Sequence, residues 1–188
     1  MEQTEATIRR LYPLSEQAFD RLVSVMKPVR FPKGGMLFQA GKVEREIYFL
    51  EEGIARAYQS CEKQDITFWF GTEGAVILPF ESYLRGHPAY ETVEVLEPSL
   101  TYAVRIDALE RLFETDLELA NWGRKLAENE LVSAEKRYLS GQFRTASERY
   151  LDLIEQHPEL LQRVPLGYIA SYLGVTQVTL SRIRAGIR

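Results

Sequence analysis

The chain has 188 residues, 45% hydrophobic and 27% charged, with a net charge of -4, which suffices for a proper core and a small second domain. Its single cysteine, Cys61, excludes an intramolecular disulfide, an iron–sulfur cluster and a cysteine-ligated structural zinc. No apolar run approaches the length of a membrane span, and the start Met1-Glu-Gln-Thr-Glu5 lacks the basic and apolar parts of a signal peptide, so a cytoplasmic protein without membrane association is expected.

In chain order, the segment from Ile8 to about Met26 places Leu11, Leu14, Ala18, Phe19, Leu22, Val23 and Met26 at helical spacing, with Ser15 positioned to cap the helix that follows it. From Lys27 to about Arg105 the period shortens. Apolar runs rich in β-branched and aromatic residues are broken at 32–35, 40–42, 51–53 and 71–74, and the clearest strands are 46–50, 54–59, 65–70, 93–96 and 100–104. Many short strands at regular spacing predict a β-sandwich or barrel. Glu51-Glu52 is no carboxylate pair, because neighbouring strand residues point to opposite faces, and reads as a solvated turn.

Helices return at Asp107, which can cap a short helix through Phe113. Thr115 or Asp116 opens a long one to about Ser140, with Leu119, Trp122, Leu126 and Ser133 along a narrow seam. Such a seam in a soluble chain is expected to meet its own copy in a symmetric dimer, the alternative being a helix laid across the β domain. Gly141 is read as a break, followed by a helix from Phe143 to Glu155 and a separator at 156–159.

The last two dozen residues carry the most information. Ile169, Ala170 and Leu173 give one short helix an apolar face, and Gly174 ends it with the left-handed backbone of a tight exit. Thr176 is placed to cap a second helix in which Val178, Leu180 and Ile183 face inward. Gln177, Ser181, Arg182 and Arg184 are left outward. This is the pattern of a helix-turn-helix, whose second helix reads a major groove; an ordinary helical hairpin with a solvated face has the same periodicity. Charge favours the former. From Leu160 to Arg188 there is no Asp or Glu, while Arg163, Arg182, Arg184 and Arg188 are present; residues 1–141 carry 17 Lys/Arg against 23 Asp/Glu, and 142–188 carry six against four. An acidic body with a basic tail would turn that tail toward phosphate.

The order of these parts resembles the Crp/Fnr family of bacterial transcription regulators. Phe31-Pro-Lys-Gly-Gly-Met-Leu-Phe-Gln-Ala-Gly41 and Ile47-Tyr-Phe-Leu-Glu-Glu-Gly-Ile-Ala-Arg56 are similar to that family's opening β segments, and 169–183 is similar to its DNA-reading hairpin. The resemblance implies an α+β chain: a double-stranded, jelly-roll-like β-roll sensor at 1–115 with flanking helices, a long connecting and dimerisation helix at 116–140, and a small helix-turn-helix domain at 141–188. It implies a homodimer on double-stranded DNA, with recognition helices about 34 Å apart, and RNA polymerase as a further partner. Base reading falls to Gln177, Ser181 and Arg182, and phosphate contact to Thr176, Thr179, Arg184 and Arg188. Only 156–164 precede the hairpin, so any β wing there is short or absent.

Ligand sensing departs from the family pattern. Members that bind cyclic AMP carry Gly-Glu-Leu followed by Arg-Ser or Arg-Thr, whereas here the stretch runs from Gly74 to Val93 and Glu91 stands in the arginine's place. A carboxylate beside a phosphate is repulsive, so cyclic AMP is not the expected effector. A persisting pocket would be lined by Glu81, Ser82, Tyr83, Glu91 and Thr92, and Arg85 reads as a solvated loop residue. His87, next to Pro88, reads as exposed rather than as a haem ligand. With only His87 and His157 as histidines, and no nucleophile set or phosphate-cradling loop, no metal, cofactor or enzymatic activity is expected. The alternative to a DNA-binding regulator is a dimeric ligand- or protein-binding β-roll module whose terminal hairpin is structural.

Overall fold

A computed structural model describes residues 1–62 and 64–186. By contacts the chain forms two compact units, one of residues 1–57 and 70–130, the other of 58–69 and 131–188.

The first unit opens with α1 (Glu2–Leu11) and α2 (Glu16–Ser24). The lead-in is therefore two helices, parted at 12–15, and the Ser15 hydroxyl accepts from the Ala18 N–H as expected of its cap. Among the described residues eight strands follow: β1 (Lys27–Phe31), β2 (Met36–Phe38), β3 (Glu46–Glu52), β4 (Ala55–Ser60), β5 (Asp65–Gly71), β6 (Val76–Ile77), β7 (Thr92–Val95) and β8 (Ser99–Arg105), with α3 (Phe80–Arg85) before β7. They make two four-stranded sheets in the orders β1-β8-β3-β6 and β2-β7-β4-β5. β8 pairs antiparallel with β1 and β3, Tyr102 lying opposite Pro28 on one side and Phe49 on the other.

Helices cover this frame. α4 (Ile106–Thr115) starts one residue before Asp107, so Asp107 is not its cap but a first-turn acid paired with Arg105 and Arg111, where it complements the helix dipole. α5 (Leu117–Phe143) runs through Gly141. The expected break does not occur there, since a lone helical glycine costs only about 1 kcal/mol relative to alanine. Leu119, Trp122 and Leu126 join Ile8, Phe19, Leu22, Ile47, Phe49 and Val104 in one core cluster. The Trp122 ring stacks on Phe49 at 6.1 Å, and its indole N–H donates to the Ile8 carbonyl at 3.1 Å. This corrects the seam: three of its four residues are the chain's own core, as in the helix-across-the-domain alternative.

Two buried charges were misjudged or missed from sequence. Glu51 is buried, not a solvated turn: its carboxylate accepts from the Thr4 N–H (3.0 Å) and Thr4 hydroxyl (2.8 Å) and lies 3.0 Å from the Met1 ammonium. Burial alone would raise its pKa, yet the bonds from Thr4, the ammonium and Gln3 hold it below the usual carboxylate range. Arg56 is buried on β4 and pairs with Glu94 on β7 at 3.0 Å.

In the second unit, α6 (Ala146–Gln156) begins at a capping box in which Thr145 and Glu148 satisfy each other's backbone N–H groups, three residues after the expected start. α7 (Leu160–Arg163), α8 (Leu166–Tyr172) and α9 (Gln177–Gly186) complete it. Residues 157–165 hold α7 and no strand.

Candidate nucleic-acid interface and sensor segment

α8 and α9 are joined at Gly174, whose φ of 66° is left-handed. The Gly174 N–H reaches the Ser171 carbonyl and the Val175 N–H the Ala170 carbonyl, each at 3.0 Å, closing the end of α8. Ile169, Ala170 and Leu173 are buried, as their spacing predicts, and Leu180 is their partner from α9. From α6, Arg149 donates to the Leu173 carbonyl at 2.7 Å. That bond satisfies a helix-end acceptor and ties α6 to the turn.

At the start of α9 the Thr176 hydroxyl accepts from the Thr179 N–H at 3.1 Å, as a cap should. Gln177, Ser181 and Arg182 are all exposed, as are Thr176, Thr179 and Arg184. The structure thus gathers the three expected base-reading side chains on the outer surface of one short helix free of acidic residues. Arg188 lies outside the described residues. Val178 departs from expectation: it is 62% exposed, whereas the inward pattern counted it as core.

Sequence reasoning did not find what holds α8 from its other side. The Ser171 hydroxyl accepts from the Thr67 N–H and donates to the Asp65 carbonyl, both at 2.9 Å. β5 is an edge strand, and one hydroxyl here supplies both partners that an added strand would have brought. The available signal was Ser171 itself, a polar residue beside the apolar face of α8.

The second half of α5 exposes a different apolar stripe from the one expected. Leu131 (71%), Val132, Tyr138 (66%), Leu139 and Phe143 (81%) are open, and Ser133 is half-buried. Leu131 and Tyr138, like Val132 and Leu139, stand seven residues apart, the repeat of a two-helix seam.

The residues expected to line a ligand pocket are partly dispersed. Ser82 and Tyr83, on α3, line a cleft of about 380 Å³ together with Glu44, Arg45, Arg105 and Glu110 among others. The Ser82 hydroxyl accepts from the Glu44 N–H and donates to the His87 carbonyl, so it braces the loop. Glu81 pairs with Arg85 at 3.3 Å and lies 3.7 Å from His87 Nδ1; Arg85 and His87 are exposed, Arg85 on a helix rather than a loop. The Thr92 hydroxyl accepts from the Ala40 N–H. Glu91 does not line the cleft; it is 4% exposed, and its Oε2 has no hydrogen-bond partner. Burial raises its pKa, against the pull of the Glu91 and Tyr90 N–H groups, and the charges of Glu81 and Glu44 raise it further. Among the described residues no group of three or more His, Cys, Asp or Glu could hold a metal ion, and no helix is long and apolar enough to cross a membrane.

Residues 28–116, the β-rich part of the chain, match the cyclic nucleotide-binding domain family. The fold is similar to that of several solved structures. FixK2 of Bradyrhizobium japonicum superposes with a TM-score of 0.71 at 20% identity, covering 87% of this chain and 84% of that one. The c-di-GMP-responsive global regulator CLP of Xanthomonas campestris gives 0.69 at 15% identity, with 92% and 91% covered. The catabolite activator protein of Thermus thermophilus gives 0.60 at 17% identity, with 96% and 86% covered. No curated protein sequence matches the chain.

Proposed function

We propose that the chain is a sequence-specific DNA-binding transcription regulator that acts as a homodimer. The observation that carries this reading is the outward set Gln177, Ser181 and Arg182 on α9, on a hairpin with no carboxylate to repel phosphate. In this reading α8 and α9 are a helix-turn-helix, α9 enters the major groove by its N-terminal end, and Thr176, Thr179 and Arg184 meet the backbone. The sensor spans 1–115, α5 is the connecting helix, and the reading domain begins with α6.

Arginine paired with guanine is the commonest specific major-groove contact, so Arg182→Ala is expected to weaken binding to the preferred duplex by about 1–3 kcal/mol while leaving weak binding to unrelated duplex nearly unchanged. Fluorescence anisotropy on both duplexes measures this, with circular dichroism as the control for folding. Equal loss on every sequence would assign Arg182 to the backbone. Absence of any duplex binding by the unmodified protein at about 100 µM in low salt would favour the second reading, a ligand- or protein-binding module with a structural hairpin. The bonds from Ser171 to Asp65 and Thr67 favour that reading, but they engage α8 and leave the outer face of α9 open.

The sensor is proposed not to answer cyclic AMP. Ionised, Glu91 would repel the cyclic phosphate; protonated, as its burial favours, it still supplies no positive charge. Millimolar cyclic AMP is therefore expected to leave the melting temperature unchanged, and a rise of several degrees in a thermal shift assay would overturn this.

A further inference from the structure

α9 presents one side chain that neither its packing nor its charge explains. Val178 is 62% exposed in the first turn, three and four residues before Ser181 and Arg182, and so shares their face of the helix. Valine is a poorer helix former than alanine, and Leu180 and Ile183 already supply the inward side of α9. The neighbouring Gln177 leans back: a methyl group built on Gly167 of α8 would collide with its Nε2 and lie 3.5 Å from its Cδ. The tip of α9 therefore offers an apolar group between an amide drawn toward α8 and a guanidinium one turn further on.

A lone exposed valine is ordinary on a protein surface. Its place decides its meaning. On the major-groove edges of the four base pairs, the only apolar feature is the C5-methyl of thymine. We propose that Val178 is a specificity-determining residue that reads a thymine in each half-site by packing its isopropyl group against that methyl. This rests on the DNA-binding reading above and adds to it the chemistry of one operator position.

The test uses the full chain and a duplex selected by it from a random pool. Each thymine is replaced in turn by deoxyuridine, which pairs identically and lacks only the methyl. One thymine per half-site is expected to show a loss of about fourfold on replacement, the worth of one buried methyl-sized group. Val178→Ser, which changes an exposed position and leaves the fold intact, is expected to bind the thymine and deoxyuridine duplexes equally at that position while every other deoxyuridine effect persists. Selective binding by the unmodified protein with no thymine whose penalty disappears in Val178→Ser overturns the inference and leaves the DNA-binding reading standing. Failure of the unmodified protein to prefer any duplex overturns both.

Discussion

Trp122→Ala is expected to lower stability by about 3–5 kcal/mol, the range for removing a fully buried aromatic side chain. Trp122 is completely buried, packs against Phe49 and Phe113, and gives its indole proton to the Ile8 carbonyl. Truncation leaves a void and also strips a buried carbonyl of its donor. For a chain of this length the melting temperature should fall by about 6–20 °C. The result separates two uses of one helix face. As a core residue, Trp122 contributes the same loss at every protein concentration in chemical denaturation; as a seam residue, it would alter mainly dimer dissociation, and its effect would fade as concentration rises. A variant that keeps its melting temperature but dissociates more easily would return Trp122 to the interface.

The misplacement of Trp122 shows what the sequence reveals and what it withholds. A helical period in Leu119, Trp122 and Leu126 establishes that one face is covered, and says nothing of what covers it. Strands 46–50, 54–59, 65–70, 93–96 and 100–104 were legible because their period and their breakers agree, and the observed β3, β4, β5, β7 and β8 overlap all five, leaving out only Ile54 and Leu96. Ser15 and Thr176 were legible as caps because the motif is local. The start of α6 was equally local in Thr145-Ala-Ser-Glu148, yet Gly141 drew the boundary forward, its small penalty being outweighed by the rest of a 27-residue helix.

Contacts across long separations were beyond reach. Nothing near Glu51 in sequence announces the ammonium and hydroxyl that α1 brings to it, and Arg56 finds Glu94 only because β7 and β4 are neighbours in their sheet. The candidate interface fared better. Gln177, Ser181 and Arg182 were readable as outward because burial of Ile169, Ala170, Leu173 and Leu180 fixes the rotation of both helices. Val178 was misread because apolar residues are placed inward by rule, and that rule runs in one direction only.

The largest functional effect is expected in the second half of α5. On the homodimeric DNA-binding reading proposed above, Leu131→Glu combined with Tyr138→Glu should give a monomer in sedimentation velocity and weaken binding to a two-half-site duplex at least a hundredfold, toward the micromolar range of non-specific contact. Both side chains are open in the single chain, 71% and 66% exposed, so their replacement removes no core packing and the melting curve of a monomer should be retained. In a dimer the same positions, one heptad apart, would each bury a carboxylate against its symmetry mate, and burial of like charges is strongly unfavourable. Leu126→Ala supplies the contrast. Leu126 lies in the core cluster of its own unit, so its truncation should reduce stability without changing the number of chains in the particle. If the double glutamate variant remains a dimer with unaltered affinity, the exposed stripe on α5 is not the seam, and a homodimer of the proposed kind would have to form through some other surface of the chain.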